Sequence, residues 1–216
     1  CWASYNVAAK IGIDGGFRPV DLSALRFGVS GLVLIPLLIR FSLTRRARLP
    51  GLGPTLALAV VGGPLFSVLA VSGYQFAPLT HGILFAPAAN FVAGTLLGTL
   101  WLGETVGRRH VVGGAIMLAG LALLSGVDAA TLGPKTLTGD LLFIATGSTW
   151  AVFTALMRRW RIDPVGGVLA QGSAACLLAP VVWLLLGGGA AAAVPRDALA
   201  AQVFFQGGVG GLGASL

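Results

Sequence analysis

Charged residues and cysteines are both scarce in this sequence. Only 10% of its 216 residues are Asp, Glu, Lys or Arg, whereas about a quarter of an ordinary soluble domain is charged. This scarcity excludes an ordinary cytosolic enzyme. The two cysteines, Cys1 and Cys176, are too few for a disulfide framework or a cysteine-based metal site.

Hydrophobic residues, glycine and positive charge are abundant instead. Hydrophobic residues make up 56% of the chain, and the mean hydropathy is +0.91. The 33 glycines and 11 prolines follow no Gly-X-Y period and lie among Leu, Val and Ala, which excludes collagen and disorder. The net charge of +7 does not indicate nucleic-acid binding, because the cations form small clusters between apolar runs. A membrane protein explains both the high hydropathy and the small clusters of positive charge.

The long apolar runs predict an all-α, integral membrane bundle. A helix needs about 20 mostly apolar residues to cross a bilayer, and residues 51–103 contain no charged residue at all. That run predicts two spans joined by a tight turn around residues 75–78. The eight predicted spans are 1–13, 22–43, 52–74, 80–102, 109–127, 140–157, 164–187 and 200–216. The first and the last are cut short, so we expect the sequence to be a piece of a longer protein.

The basic residues alternate between the two sides of this predicted bundle. The connections on one side hold nine of them, and those on the other side hold Arg18, Lys135 and Arg196. Because cytoplasmic loops carry the excess of Lys and Arg, the richer side is predicted to be cytoplasmic, together with the N-terminus. The nine are Arg40, Arg45, Arg46, Arg48, Arg108, Arg109, Arg158, Arg159 and Arg161.

A weak internal repeat relates the segment after Trp2 (WASYNVAAK) to the segment after Trp150 (WAVFTALMR). Tyr5 and Phe153 occupy the same place in the two segments. The offset of 148 residues covers five predicted helices, and an odd number of helices makes the second copy enter the membrane from the opposite side. We therefore predict two inverted five-helix repeats, with about eight of ten spans present. They are residues 1–127, an extracytoplasmic linker at 128–139, and an incomplete second repeat at 140–216.

Several segments resemble the EamA-type drug/metabolite transporters. They are Trp2 opening the first span, Lys10, Arg26-Phe27 early in the second, WLGE at 101–104 and GAIMLAG at 114–120. The resemblance covers essentially the whole chain and implies ten spans in two inverted repeats. One position departs from it: the proline that the family has about thirteen residues before Glu104 is Phe91 here, and the nearest proline is Pro87.

The resemblance implies a secondary transporter, with export the preferred direction, that moves a small metabolite or drug across the bacterial inner membrane by alternating access. It implies no enzymatic activity, no cofactor and no metal. The expected partners are a small-molecule substrate and the lipid bilayer, no nucleic acid is expected, and a homodimer is left open. Two other classes also stay open: a non-transporting scaffold subunit, and a membrane-embedded lipid-modifying enzyme. A cavity lined by Tyr5, Asn6 and Trp150 would favour the transporter over the scaffold.

Two cations within predicted spans, Lys10 and Arg26, are candidate substrate-binding residues, because ionisable groups in a membrane span are costly. Both lie near the outer ends of their spans, so pairing with Asp14 and Asp21 is the alternative. The uncharged candidates are polar or aromatic residues expected to face a cavity between the repeats. They are Trp2, Tyr5, Asn6, Asn90, Trp150 and Gln171.

Four other ionisable positions are expected to be structural or peripheral. Glu104 is predicted to anchor a span end, within reach of Arg108 four residues later or of the N-terminal amides of the next helix. His81 is expected at the outer membrane surface, with proton coupling as the alternative, and His110 in a cytoplasmic loop. All seven acids, including Asp140, are placed at span edges or in loops, which argues against a proton relay within the membrane.

Overall fold

The structure is a computed structural model that describes residues 2–44, 48–125 and 133–213, without the side chains of Trp2 and Ser125. The described residues form nine α-helices and no β-strand. The helices are α1 (Trp2–Asp14), α2 (Pro19–Leu43), α3 (Leu52–Val61), α4 (Pro64–Gly73), α5 (Leu79–Leu102), α6 (Arg108–Ser125), α7 (Pro134–Arg159), α8 (Pro164–Leu185) and α9 (Arg196–Gln202). A short 3₁₀ helix, Ala190–Ala193, precedes α9, and a π-helix, Val203–Leu212, continues it. The all-helical, multi-span fold predicted from the sequence is confirmed.

Five segments of the described chain are long and apolar enough to cross a membrane. They are Pro19–Leu43, Leu52–Gly73, Leu79–Leu102, Pro134–Arg159 and Pro164–Leu185. The other three predicted spans also coincide with helices. Among these, α1 has 13 residues, and α6 begins with two arginines and a histidine, which lower its hydropathy. The third consists of α9 and the π-helix.

Prolines set the starts of α2, α4, α7 and α8, since a proline in the first helical turn loses no hydrogen bond there.

The predicted linker 128–139 is longer than the connection before α7. Pro134 begins α7, so residues 134–139 belong to that helix, whereas residues 128–132 of the predicted linker lie outside the described part of the structure.

The predicted span 52–74 is one crossing made of two helices, α3 and α4, which meet at Gly62-Gly63. Gly63 has φ −105° and ψ −124°, outside the helical region, and the following Pro64 disfavours a helical conformation at the residue before it. The break also brings backbone close to two other helices. A Cβ placed on Gly62 would lie 2.6 Å from Cδ2 of Phe153, and one on Gly63 would lie 2.9 Å from Cβ of Ala175.

The helices pack as an α-helical bundle in which α5 lies along α7 and α2 lies along α8. Small residues allow these close approaches, since lipid supplies no hydrophobic drive for packing within the membrane. At the middle of the α5–α7 contact, a Cβ on Gly147 would lie 2.8 Å from the backbone nitrogen of Asn90. Other surfaces of the helices carry exposed leucines, such as Leu32, Leu100 and Leu123, as expected of a face in contact with lipid.

The three arginine-rich connections lie at one end of the bundle. Arg158, in the last turn of α7, forms an ion pair with Glu104, which follows α5, and Arg159 donates a hydrogen bond to the carbonyl oxygen of Trp101 (3.2 Å). The backbone of Arg48 packs against the start of α8 at Gly166. The sequence placed Arg108 and the amides of the next helix within reach of Glu104. The ion-pair partner is Arg158 instead, because Glu104 follows the C-cap Gly103 and lies beside the neighbouring α7.

The remaining connections meet at the opposite end. Arg18 donates a hydrogen bond to the carbonyl oxygen of Gly187, which joins the start of α2 to the end of α8. Asp21 is buried and accepts two hydrogen bonds of 2.8 Å at Oδ1, one from Nε1 of Trp183 and one from the backbone nitrogen of Gly189. We refer to the end that carries Glu104 and Arg158 as the arginine-rich end, and to the end that carries Asp21 as the opposite end.

Candidate transport cavity

A cavity of about 470 Å³ lies in the described bundle between α1, α4, α5 and α7. This volume is in the range of small-molecule sites. Four of the eight residues predicted to bind substrate line it: Tyr5, Asn6, Asn90 and Trp150. The sequence therefore identified residues from three of the four helices that enclose it.

Aromatic rings form much of the cavity wall. The Phe66 and Trp150 ring centroids are 5.1 Å apart, and those of Tyr74 and Phe143 are 5.0 Å apart. Side-chain hydrogen-bonding groups are few, with Asn6 and Asn90 supplying amides and Thr146 a hydroxyl. An apolar, aromatic wall with a small number of polar groups is typical of sites that bind small organic molecules.

Arg26 lies behind this wall, two turns into α2, with only 5% of its surface exposed. Its guanidinium carbon is 4.6 Å from the centroid of the Tyr5 ring and 5.7 Å from that of Phe66. These distances are typical of cation–π contacts. Arg26 also lines a second, smaller cavity of about 150 Å³, together with Ser30, Gln171 and Trp150. Trp150 therefore separates the aromatic cavity from a chamber that contains a buried cation.

Lys10 lies apart from both cavities. Its Nζ is 2.5 Å from Oδ1 of Asp14 and donates a second hydrogen bond to the carbonyl oxygen of Tyr74 (3.3 Å). Its side chain is 28% exposed and that of Asp14 is 60% exposed. The contacts of Lys10 therefore match the alternative interpretation, pairing at the end of the span, and its assignment to the substrate site stays a prediction. Trp2 begins α1, but its side chain lies outside the described part of the structure.

A cleft of about 320 Å³ continues from the cavity towards the arginine-rich end. Asn90 lines both spaces, and Glu104 and Arg158 lie at the far end of the cleft. At the opposite end, buried side chains that include Phe17, Val71, Tyr74 and Phe143 form a packed apolar cluster. The cavity therefore extends towards one end of the bundle and is covered at the other.

One contact between a glycine and an aromatic ring recurs with the offset of 148 residues. Val61-Gly62-Gly63 recurs as Val209-Gly210-Gly211. Gly62 contacts Phe153, and a Cβ on Gly210 would lie 2.5 Å from Cδ2 of Tyr5, the residue 148 positions before Phe153. Each glycine pair thus packs on an aromatic ring carried by the other half of the chain.

The family model described as "EamA-like transporter family" matches residues 1–126, which is more than half of the chain. The chain belongs to the EamA-like transporter family. It is an integral, multi-pass membrane protein. The matched residues hold α1 to α6, which is the extent of the predicted first repeat.

Curated relatives and a solved structure agree with this membership in the EamA-like family. The chain is 28% identical over 188 residues to proteins described as "Uncharacterized inner membrane transporter YedA" from Escherichia coli strains K12 and O157:H7. This alignment covers 85% of the chain and 57% of each relative, so the chain spans little more than half of their length. A crystal structure aligns over 98% of the chain and 75% of its own with a TM-score of 0.64, and at 22% identity this likeness concerns the fold alone.

The sequence missed several residues that the EamA-like fold brings into or near the cavity. Phe66 and Phe143 were passed over because a phenylalanine in an apolar run carries no distinguishing local signal. Gln202 is buried and donates a hydrogen bond to the carbonyl oxygen of Ala8 (2.8 Å), and Gln206 donates to Oε1 of Gln202 (3.1 Å). The available sequence signal was the presence of two glutamines within the predicted apolar span 200–216, because polar groups within a span are candidates for function.

Three expectations about ionisable residues were wrong. His81 is fully buried instead of lying at the membrane surface, and Asp140 is buried within α7 instead of lying at its edge. His110 belongs to α6, where its Nε2 lies 2.9 Å from Oγ1 of Thr95 and its ring stacks on Phe91. In each case an unpredicted partner on a neighbouring helix accounts for the position. The described residues contain no cluster of three potential metal ligands.

Proposed function

We propose that the protein is a secondary transporter that moves a small organic molecule across the bacterial inner membrane by alternating access. The observation that carries this proposal is the aromatic cavity of about 470 Å³, which is enclosed by helices from both halves of the chain. A scaffold subunit would bury Tyr5, Asn6 and Trp150 against neighbouring helices. The cavity favours the transporter because Asn6 and Trp150 are only partly buried and line it, whereas Tyr5, which also lines it, is buried.

The proposed arrangement of two inverted repeats is supported by the recurring glycine contacts. Gly62 packs on Phe153 and Gly210 packs on Tyr5, so each half of the chain supplies both a glycine pair and an aromatic ring. Exchange of equivalent contacts between two halves is expected for repeats related by a twofold axis in the membrane plane. Rocking of one repeat against the other would then expose the central cavity to each side in turn.

The arginine-rich end is the end that we assign to the cytoplasm, because basic residues are retained on that side. The ion pair of Glu104 and Arg158 places two of the arginine-bearing connections together, which agrees with this assignment. In this orientation the N-terminus is cytoplasmic, and the cleft beyond Asn90 leads to the cytoplasm. Export remains the direction that we propose, with the substrate entering through that cleft.

An exchange assay in liposomes tests the proposed function. The full-length protein is reconstituted with unlabelled compounds inside, and entry of the labelled compound is followed for amino acids, sugars, nucleosides and organic anions. We expect exchange of at least one class. Trp150→Ala removes a large part of the cavity wall and should slow exchange about tenfold, since an aromatic contact is worth about 1 kcal/mol or more.

Trp160→Ala is the matched control, because Trp160 caps the end of α7 outside both cavities and is 40% exposed. It should exchange like the wild type. Equal losses in the two variants would count against a site at Trp150. A folded protein that exchanges no compound would favour the scaffold interpretation. Comparison of right-side-out with inverted vesicles measures the direction of transport.

A further inference from the structure

Two ionisable side chains are buried together between α5 and α7. Nδ1 of His81 lies 2.7 Å from Oδ1 of Asp140. The His81 side chain is 0% exposed and that of Asp140 is 6% exposed. Ionisable groups within a membrane protein cost a few kcal/mol to bury, so a pair of them is a candidate for function. Neither residue lines the aromatic cavity, so the proposed substrate site leaves the pair unexplained.

The pair lies next to the wall that covers the cavity at its opposite end. Gly82 directly follows His81, and Phe143 lies one helical turn after Asp140; both line the cavity. A Cβ on Gly82 would lie 2.9 Å from the Tyr74 ring and 3.0 Å from the Phe143 ring, so the three residues pack together. Movement of α5 away from α7 at the pair would therefore separate the side chains that cover the cavity.

Other titratable groups surround the pair on the neighbouring helices. The Tyr74 phenol lies at the end of α4 and is uncharged around neutral pH, as phenols are. Lys10 of α1 donates to the Tyr74 carbonyl oxygen and is paired with Asp14. Lys135 lies exposed at the start of α7. Histidine and carboxylate side chains are therefore the groups whose charge can change here as the pH falls below 7.

We infer that His81 and Asp140 form the proton-binding site that couples transport to a proton gradient and that controls opening of the cavity at the opposite end. This inference rests on the proposed transport function. Without the coupling proton the pair holds a neutral imidazole and a carboxylate, so one negative charge is buried. A proton arriving from the extracytoplasmic side binds the imidazole and forms an imidazolium beside the carboxylate, so the pair then has no net charge.

Before that proton binds, the buried carboxylate lacks a counter-charge on its imidazole partner, so the arrangement in which α5 and α7 separate and water reaches the carboxylate is favoured. Proton binding completes the ion pair, which holds α5 against α7 and closes the cavity at the opposite end. When the cavity later faces the cytoplasm, the proton leaves the imidazole to that side. One proton enters for each substrate molecule exported, and no other reactant is needed.

A pH gradient imposed on liposomes tests the coupling. With acid inside, proton efflux should drive accumulation of the compound that exchanges, and entrapped pyranine should report a matching rise of the internal pH. His81→Gln and Asp140→Asn should abolish this accumulation while exchange at equal pH persists, because exchange needs no net proton movement. Asp197→Asn, at an exposed carboxylate in the first turn of α9, is the matched control and should accumulate the compound like the wild type.

The double variant His81→Gln/Asp140→Asn guards against a folding defect, because its two amides can still form a hydrogen bond across the helices. Accumulation that persists in this folded variant overturns the inference, as does a wild type that exchanges compounds without any response to the gradient. In both cases the proposed transport function stands. Failure to exchange any compound counts against the transport function itself.

Opening of the cavity is measured separately, without a substrate. A cysteine at Leu79, which lines the cavity near the pair, reacts with an impermeant thiol reagent added from the extracytoplasmic side. The reaction rate of Leu79→Cys, divided by that of Asp197→Cys at an exposed position, should fall at least several-fold between pH 7.5 and pH 5.5, because proton binding to the pair closes this end of the cavity. The His81→Gln/Asp140→Asn background should remove the fall. A ratio that does not change with pH overturns the inference.

Discussion

The guanidinium of Arg26 on α2 lies over the ring of Tyr5 on α1, with 4.6 Å between the guanidinium carbon and the ring centroid. Because Tyr5 lines the aromatic cavity and Arg26 lines the smaller chamber beside it, the contact joins an apolar site to a buried positive charge. A substrate with an apolar body and an acidic group would match both parts of this arrangement.

Arg26→Gln should therefore weaken the transport of compounds that carry a carboxylate, while uncharged compounds are transported as by the wild type. We expect the apparent affinity to fall about tenfold, which corresponds to about 1.4 kcal/mol. The apparent affinity of Arg26→Lys for these compounds should lie between those of the wild type and Arg26→Gln, because an ammonium keeps the charge but lacks the planar, forked geometry of the guanidinium. Concentration dependence of exchange measures the effect, with the exposed Arg109→Gln as control. An equal loss for charged and uncharged compounds would contradict a direct role of the charge.

Gly63→Ala should destabilise the protein, because a Cβ at this position would overlap the carbonyl oxygen of Ala59 and crowd Ala175. Forcing extra volume into a packed site costs about 1–3 kcal/mol, so the thermal unfolding midpoint in detergent should fall by several degrees. Gly53→Ala is the matched control on α3, where a Cβ would meet nothing within 4 Å. Equal midpoints for the two variants would show that the break at Gly62-Gly63 tolerates a side chain.

Glu104→Gln should change stability by less than about 1 kcal/mol, because exposed ion pairs contribute little. The side chains of Glu104 and Arg158 are 42% and 56% exposed, in contrast to the buried His81 and Asp140. Raising the salt concentration should reduce even this small difference. Chemical denaturation in detergent measures it. A loss of several kcal/mol would mean that the pair is shielded from solvent in the membrane.

Thr105→Cys and Asp197→Cys should label from opposite sides of the membrane. Thr105 lies exposed in the connection after α5, at the arginine-rich end, and Asp197 lies exposed in the first turn of α9, at the opposite end. Both are introduced with Cys1 and Cys176 replaced by alanine. In intact cells an impermeant maleimide should reach only Asp197→Cys, and permeabilisation should expose Thr105→Cys as well. The reverse pattern would invert the orientation that we assign.

The positions of the membrane helices were predictable because each long apolar run is a local property of the sequence. Predicted and observed bounds for α2 and α5 differ by at most three residues. The break at Gly62-Gly63 was missed because two glycines and a proline within an apolar run also occur in continuous spans. Whether they interrupt the helix depends on the close approach of Phe153 and Ala175 from other helices.

The candidate site was predictable only in part. Tyr5, Asn6 and Trp150 were found because the internal repeat and the helical spacing place them on a central face. Arg26 and Lys10 have similar sequence surroundings, yet one is buried beside the cavity and the other is paired near the surface. The partners of His81 and Glu104 lie on α7, 59 and 54 residues away, and such pairs leave no trace in local periodicity.

The contact between α5 and α7 has the form of a lever. Its fulcrum is Gly147, where the two backbones touch, and its arms end at Asp140 on one side and Arg158 on the other. At 1.5 Å per residue, the arms measure about 10 Å and about 16 Å. A rotation of α7 about Gly147 therefore moves Arg158 about half again as far as it moves Asp140. A small displacement at the buried pair is thereby amplified at the arginine-rich mouth of the cleft.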